Sequence, residues 1–557
     1  MISYLSAAND LPVVRCANRI FVELRRIARY RLLICFMVMA FTMIARLALL
    51  PWKPIPKPFV TDEFSYLLGA ETFASGRWTN PSHPMWPHFE TFHVLMRPTY
   101  MSKYPPGQAL FLAIGRKLLG DPWFGVWISF GLFAGAVCWM LQNWVPPVYA
   151  LIGTAISLAR ISITGYWMNS YWGGAVAAFA GCLVLGALPR LVRRNVRARD
   201  SAIFSLGLLL LAITRPYEGL ALAAGAGVAL VFWRIRSHLG LAGLFSVRSL
   251  LPFFLVFGIG AMVNGYYNYR VTGSPWVMPH RLYSQQYQIA SPWLIFGEQR
   301  APEYRHAEIE NTWKELDRKE YREEKAHPLQ NVRKTNDIFS FYFGSLYLFP
   351  IAIGLLVSCS RRYWTAAGIV ACLWFALLIE SAKFPHYVAA GAGLFPVMVV
   401  YGLRHLRLIG REYGALLVLT LAALICIQGK ASEDGRDWKT RPAGLLSPRM
   451  IAMSKVIKAG SNHLIFVRYA PDHVDKSTEC VYNSANIDAS QIVWAQDMGQ
   501  GKNRELIDYF HGNRRVWLFQ PDINPSEIVP YEPLSHPMAT NDGSGTSPPA
   551  LIAQPQQ

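Results

Sequence analysis

The chain has 557 residues, of which 52% are hydrophobic and only 16% charged, and its mean hydropathy is positive. That balance excludes an ordinary soluble globular protein and fits a polytopic membrane protein. The formal net charge of +19 does not indicate nucleic acid as a partner, because the arginines gather in short segments between apolar runs, where they set orientation in a membrane.

In chain order, a basic N-terminus over residues 1–31 precedes a first apolar run at 32–50, which is too long for a signal-peptide core and lacks a small-x-small cleavage site, so it reads as an uncleaved anchor. A spanning helix needs about 20 residues, and eleven runs qualify as candidates: 32–50, 123–141, 148–166, 171–188, 201–214, 217–233, 250–267, 339–358, 363–379, 387–403 and 413–428. The fifth and sixth are short and read equally as a re-entrant hairpin; as a pair, their loss leaves every other orientation unchanged. Arg15, Arg19, Arg25, Arg26, Arg29 and Arg31 place the N-terminus in the cytoplasm, and with that parity the loops carrying Arg190 to Arg199, Arg234 and Arg236, Arg361 and Arg362, and Arg404 to Arg411 fall on the same side. Gly107 to Gly120 is apolar but short and carries Arg116 and Lys117; if it crossed, the basic loop after Leu188 would face outward, so it is expected to lie on the outer surface as an amphipathic helix.

Six of the eight cysteines, Cys35, Cys138, Cys182, Cys359, Cys372 and Cys426, fall inside or at the edge of apolar runs, with no disulfide framework or zinc spacing. Two polar regions interrupt the transmembrane module expected over 32–428: a first outer loop at 51–121 and a long loop at 268–337, whose charged middle reads as a solvated helix over the outer face. Over 429–530, HLIFVRY, QIVWAQD and RRVWLFQPD read as buried strands, with NRELIDYFHG as a helix between the last two, giving a small α/β domain. Residues 531–557, rich in Pro, Ser and Gln, read as a disordered tail.

Ionisable residues beside spans are costly and mark function. On this topology Asp62, Glu63, Lys103, Arg160, Arg215, Glu218, Arg270, His280, Lys383, His386 and Tyr387 collect at outer span ends. Such a set suits displacement of a lipid-linked phosphate from a sugar: a carboxylate takes the proton of an incoming hydroxyl, while cations stabilise the departing phosphate.

An Asp-Glu shortly after the first span, followed by Tyr-x-x-Lys-x-Pro-Pro at Tyr100 to Pro106, resembles the C-type (GT-C) membrane glycosyltransferases, particularly the protein O-mannosyltransferases and the aminoarabinose transferases that modify lipid A. The resemblance spans roughly residues 30–430 and implies a GT-C-like fold of about eleven transmembrane helices, with the C-terminal α/β domain periplasmic. It implies a polyprenyl-phosphate-linked sugar as donor, a hydroxyl of a protein, glycan or lipid as acceptor, and inversion at the anomeric carbon. Carried over, Asp62 is the base, Glu63 its acceptor-binding neighbour, and Tyr100 and Lys103 the phosphate pair, while Ser381 to Tyr387, with His386 and Tyr387, completes the phosphate site. Arg160, Arg215 and Arg270 are further candidates for the lipid phosphate. Many relatives carry an Asp between the third and fourth spans, where this chain has Asn169; no sugar-binding repeat follows Asn268, which favours a bacterial inner membrane over a eukaryotic one.

His83, His88 and His93 recur beside Glu90, but a five-residue spacing does not align on one helical face, so they read as solvated loop residues and no metal or other cofactor is required. Two other classes fit a polytopic chain: a flippase for the lipid-linked sugar, which would place charge at the midplane in related halves, and a non-catalytic envelope scaffold.

Overall fold

The computed structural model describes residues 11–434, 447–456, 460–474 and 479–531. A helix α1 (Pro12–Ile27) lies in the basic N-terminus, and α2 (Arg31–Ala48) forms the first apolar helix. Helices then form at each of the ten remaining apolar positions: α5 (Trp123–Trp144), α6 (Pro147–Arg160), α7 (Ala175–Leu191), α8 (Ala198–Ala212), α9 (Pro216–Arg236), α10 (Val247–Thr272), α15 (Ser345–Val357), α16 (Arg361–Ile379), α17 (Leu394–Ile409) and α18 (Gly414–Asp434). Among the described residues, six helices are long and apolar enough to cross a bilayer, or up to eight if two bent pairs each count as one. The sixth position, expected to be short, is a full 21-residue helix, α9. The third ends early at Arg160 and the fourth starts only at Ala175, because 161–174 folds into turns beneath the site.

Local chemistry sets these boundaries. The Asp121 carboxylate accepts the Trp123 N–H at 2.8 Å at the start of α5, and Pro146 and Pro147 end it and open α6. The centre of the bundle is α5, with 72% of its apolar window buried, whereas α10 has 6% buried and turns Leu251, Phe254, Ile259 and Met262 outward. Glycines let the central helices approach closely. A Cβ at Gly181 would stand 1.9 Å from the Ala390 carbonyl oxygen, and one at Gly402 would stand 1.7 Å from that of Pro350.

Residues 51–121 contain α3 (Thr61–Ala74), a small antiparallel sheet of β1 (Asn80–Pro81), β3 (Thr99–Ser102) and β2 (Val94–Leu95), and α4 (Pro106–Leu119), the segment expected as an amphipathic helix. The loop expected from Asn268 begins instead at Gly273, where φ of 83° ends α10. It then folds as α11 (Pro279–Tyr287), α12 (Ala307–Asn311), a π-helical turn (Thr312–Asp317), α13 (Arg318–Ala326) and α14 (Pro328–Ser340). The charged middle is helical as expected, but it does not merely cover the surface, since Trp313, Tyr321 and Glu324 are buried.

Two helix pairs bend sharply, α14 to α15 by 97° and a 3-10 turn (Pro385–Gly391) to α17 by 63°. At the first bend Arg160 donates to the carbonyls of Ser340, at 2.7 Å, and Phe341, satisfying oxygens at the end of α14. Arg160 therefore holds a bend and does not line the site cavity described below, contrary to its expected role on the lipid phosphate.

The C-terminal unit opens with α19 (Pro448–Val456) and continues with β4 (His463–Val467), β5 (Ile492–Gln496), α20 (Gln500–Tyr509), β6 (Arg515–Phe519) and β7 (Ile528–Pro530). The sheet order is β5-β4-β6-β7, with β4 parallel to both β5 and β6 and β7 an antiparallel edge. The three strands and intervening helix lie where the hydrophobic runs put them; the boundary expected at 428/429 falls within α18, and the tail beyond Tyr531 lies outside the described residues. This unit packs on residues 51–121: Leu464, Phe466 and Val493 share a core with Phe89, Val94, Met96 and Tyr100.

Candidate active site

Helix α3 sets the geometry. Its first turn carries Asp62 and Glu63, and adjacent positions on a helix diverge by about 100°, so the two carboxylates face different ways. Glu63, at the third helical position, reaches back to the N–H groups of Phe59 (2.7 Å) and Val60 (3.2 Å), and its other oxygen accepts the Tyr171 N–H at 2.8 Å. Both oxygens are thus bound to backbone, and the residue is buried. Glu63 fastens the start of α3 to the 161–174 turns and is absent from the lining of the cavity described below.

Burial pushes the Glu63 carboxyl up to about 7, against the three N–H donors that favour its ionised form. A folded-state value above the unfolded one near 4.5 means the native state binds more protons between pH 4.5 and 7, so this group's contribution to stability falls as pH rises through that window. Glu63→Gln should flatten the pH dependence of thermal unfolding in detergent over this window and, by losing an acceptor for the Tyr171 N–H, lower stability by about 1–3 kcal/mol.

Asp62 faces a cavity of about 550 Å³ shared by Phe59, Val60, Thr61, His93, Lys103, Tyr104, Trp172, His280, Gln288, Trp313, Asp317, Glu380, Phe384 and Tyr387, among others. The Tyr104 hydroxyl donates to Asp62 Oδ1, and its ring stacks on Tyr66 at 4.4 Å. His93 Nε2 stands 3.8 Å from Asp62 Oδ2. His93 has φ of 65°, a conformation that non-glycine residues rarely adopt. Its carbonyl accepts the Ser65 hydroxyl (2.6 Å) and the Lys103 N–H (3.1 Å), and its own N–H donates to the Tyr283 hydroxyl (2.9 Å), so three partners hold the strained backbone.

Lys103 brings its ammonium between two aromatic faces, 5.0 Å from the Tyr104 ring centre and 4.9 Å from that of Tyr283. His280 lines the same cavity and is pushed down to about 3, first by burial, then by Lys103 and Arg215, so it stands there as a neutral imidazole. Tyr387 presents its ring to the cavity with the Arg215 guanidinium 4.7 Å behind it; Arg215 also pairs with Glu218 at 3.8 Å. Arg215 is thus one ring removed from the lining. His386 is likewise behind the wall, 3.2 Å from the Tyr166 hydroxyl and stacked on Phe384.

Several expected residues sit elsewhere. Tyr100 points from β3 into the core shared with the C-terminal unit, and its hydroxyl donates to the Asn483 carbonyl at 3.0 Å. Arg270 is exposed on α10 and donates to the Tyr266 hydroxyl at 3.0 Å. Lys383 pairs with Glu324 at 2.7 Å. Asn169 braces the 161–174 turns, accepting from Arg46 at 2.9 Å and donating to the Gly165 carbonyl at 2.7 Å.

The three histidines expected to be solvated are all buried. His83 pairs with Asp488 at 2.9 Å, His88 lies against Phe466, and His93 reaches Asp62. Among the described residues no three His, Cys, Asp or Glu side chains converge as a metal site.

Sequence reasoning missed Tyr104, His93 as a site residue, Gln288, Asp317 and Glu380. Tyr104 stood inside the quoted motif, as the residue between Lys103 and Pro105. Asp317 lies in a run so rich in charge that nothing singled it out. Tyr104→Phe removes the donor that positions Asp62 while keeping the ring stacked on Tyr66.

No known family profile matches the chain, and no curated protein sequence matches it significantly. Among solved structures, ArnT from Cupriavidus metallidurans, bound to undecaprenyl phosphate, superposes with a TM-score of 0.50 at 12% identity, covering 87% of this chain and 93% of that one. The Archaeoglobus fulgidus oligosaccharyltransferase is also similar, in its apo form (TM-score 0.43, 10% identity, 88% and 69% covered) and tethered to an acceptor peptide containing the NVT sequon (0.41, 10%, 88% and 68%). The likeness to ArnT along nearly the whole of both chains shows a shared fold, that of the C-type membrane glycosyltransferases.

Proposed function

We propose that this protein is an inverting glycosyltransferase that moves a sugar from a polyprenyl phosphate carrier to a hydroxyl on a protein, glycan or lipid at the periplasmic face of a bacterial inner membrane. The observation that carries the reading is the shared cavity: one carboxylate, Asp62, and one ammonium, Lys103, open onto the same space in a protein with this fold. The acceptor oxygen attacks the anomeric carbon from one face as the bond from that carbon to the phosphate oxygen breaks on the other. The acceptor's proton passes to Asp62. The negative charge gathering on the departing lipid phosphate is met by Lys103, with Arg215 adding positive potential from behind Tyr387.

The proposal takes eleven crossings, with α1 in the cytoplasm and the C-terminal unit in the periplasm. Supporting it, every segment that lines the cavity, at 59–62, 93–104, 172, 280–292, 313–317 and 380–387, falls on the outer side in the charge-based topology. The exposed apolar face of α10 suits contact with lipid. Mass spectrometry of envelope glycoconjugates tests the reading: a strain whose chromosomal copy carries Asp62→Asn should lose one sugar modification that the wild type carries, and identical profiles would refute it.

A further inference from the structure

Resting on that reading, the cavity's remaining polar lining bears on which sugar it accepts. One wall is made where two chain segments join: Leu294 N–H donates to the Ile379 carbonyl (2.7 Å), Ser381 N–H donates to the Pro292 carbonyl (2.9 Å), and Trp293 bridges to Glu380. This junction brings Gln288, Ser291, Glu380 and Ser381 to the cavity. Asp317 joins them from the π-helical turn, which is anchored by buried Trp313 packed 6.0 Å from Phe92 and 6.1 Å from Tyr283. A π-helical turn carries an extra residue per turn and redirects the side chains after it, a device that recurs at functional sites.

Gln288 Oε1 and Glu380 Oε2 are both buried, and neither has a hydrogen-bond partner among the described residues. A buried acceptor without a donor is costly, and a ligand bearing O–H groups removes that cost. Of the described lining residues, Lys103 alone is a lysine or arginine, while Asp62, Asp317 and Glu380 are all carboxyls. If Lys103 holds the lipid phosphate, a second anion on the sugar would face three carboxyls with no further lysine or arginine among the described lining residues to meet it.

We infer that Gln288, Asp317 and Glu380 form the sugar-selecting wall of the cavity, that they accept hydrogen bonds from the hydroxyls of a donor sugar lacking any anionic group, and that they reject acidic sugars. Asp317 and Glu380 set this selectivity and take no part in bond making or breaking.

The test is direct binding to the purified full-length protein in nanodiscs, with three probes: undecaprenyl phosphate, its neutral hexosyl ester and the corresponding hexuronosyl ester. The wild type should bind the neutral ester about tenfold more tightly than the bare lipid phosphate, and the hexuronosyl ester at least tenfold more weakly than the neutral one. Asp317→Asn and Glu380→Gln should each shrink the neutral-over-acidic ratio severalfold while leaving the affinity for undecaprenyl phosphate within twofold. That last readout also shows that the variants are folded.

Equal wild-type binding of the two sugar esters would overturn the inference, as would an unchanged ratio in both variants; in either case the glycosyltransferase reading stands so long as undecaprenyl phosphate binds through Lys103. Failure of the wild type to bind any of the three lipids would remove both.

Discussion

Asp62→Asn should reduce sugar transfer about 10²- to 10⁴-fold, the range that a positioned general base supplies, while the protein still folds, inserts and binds undecaprenyl phosphate. The substitution keeps the volume and leaves an amide oxygen able to accept the Tyr104 hydroxyl, so the local hydrogen bond persists and only the proton acceptor is lost. Glu63→Gln makes the control. It neighbours Asp62 in sequence but is tied to backbone N–H groups, so it should act on stability and leave the affinity for the lipid carrier in the surviving folded protein close to wild type. A loss of transfer in Glu63→Gln as deep as in Asp62→Asn, with unfolding unchanged, would place the chemistry on the other carboxylate.

Lys103→Met is the second large effect. Methionine keeps an unbranched stem of similar length between the rings of Tyr104 and Tyr283, and it removes the charge without leaving a large void. Loss of one charge-assisted bond to the carrier phosphate should weaken binding of undecaprenyl phosphate by about 1.5–3 kcal/mol, or roughly 10- to 150-fold in Kd. Arg270→Met should leave that affinity within twofold, since Arg270 is exposed on α10 and outside the cavity. Equal losses in the two variants would mean that the phosphate site had been misassigned. Because the expected contribution of Lys103 is electrostatic, the wild-type affinity should also be the more sensitive of the two to added salt.

The parts of this structure legible in the sequence are those fixed by local pattern. Apolar runs of membrane length become helices, and short continuous apolar runs around Leu464, Val493 and Val516 become strands. Asp62 and Lys103 were findable because one covalently short loop carries both. What pattern could not supply was direction. Asp62 and Glu63 look equivalent as letters, yet the helix that starts at Thr61 sends one to the cavity and spends the other on its own first turn. Tyr100 and Tyr104 flank the same lysine, but Tyr100 is still in a strand whose face is taken by the C-terminal unit, while Tyr104 lies past its end.

Contacts between distant segments were also hidden. Asp317 and Glu380 share a cavity with Asp62 only through the packing of three segments far apart in sequence, and no spacing within any of them announces it. Arg160 illustrates the opposite error: an arginine at an outer span end suggests a phosphate site, but two carbonyls at a 97° bend need donors just as much.

The central claim is that the cavity bounded by Asp62 and Lys103 receives the phosphate of the lipid carrier. A cryo-EM structure of the wild-type protein in nanodiscs with undecaprenyl phosphate tests it most directly. The account predicts phosphate density at hydrogen-bond distance from Lys103 Nζ, inside the cavity that Asp62 lines, with the lipid tail leaving toward the bilayer. Phosphate density at another site, with this cavity empty and Lys103 still stacked on Tyr283, would contradict it.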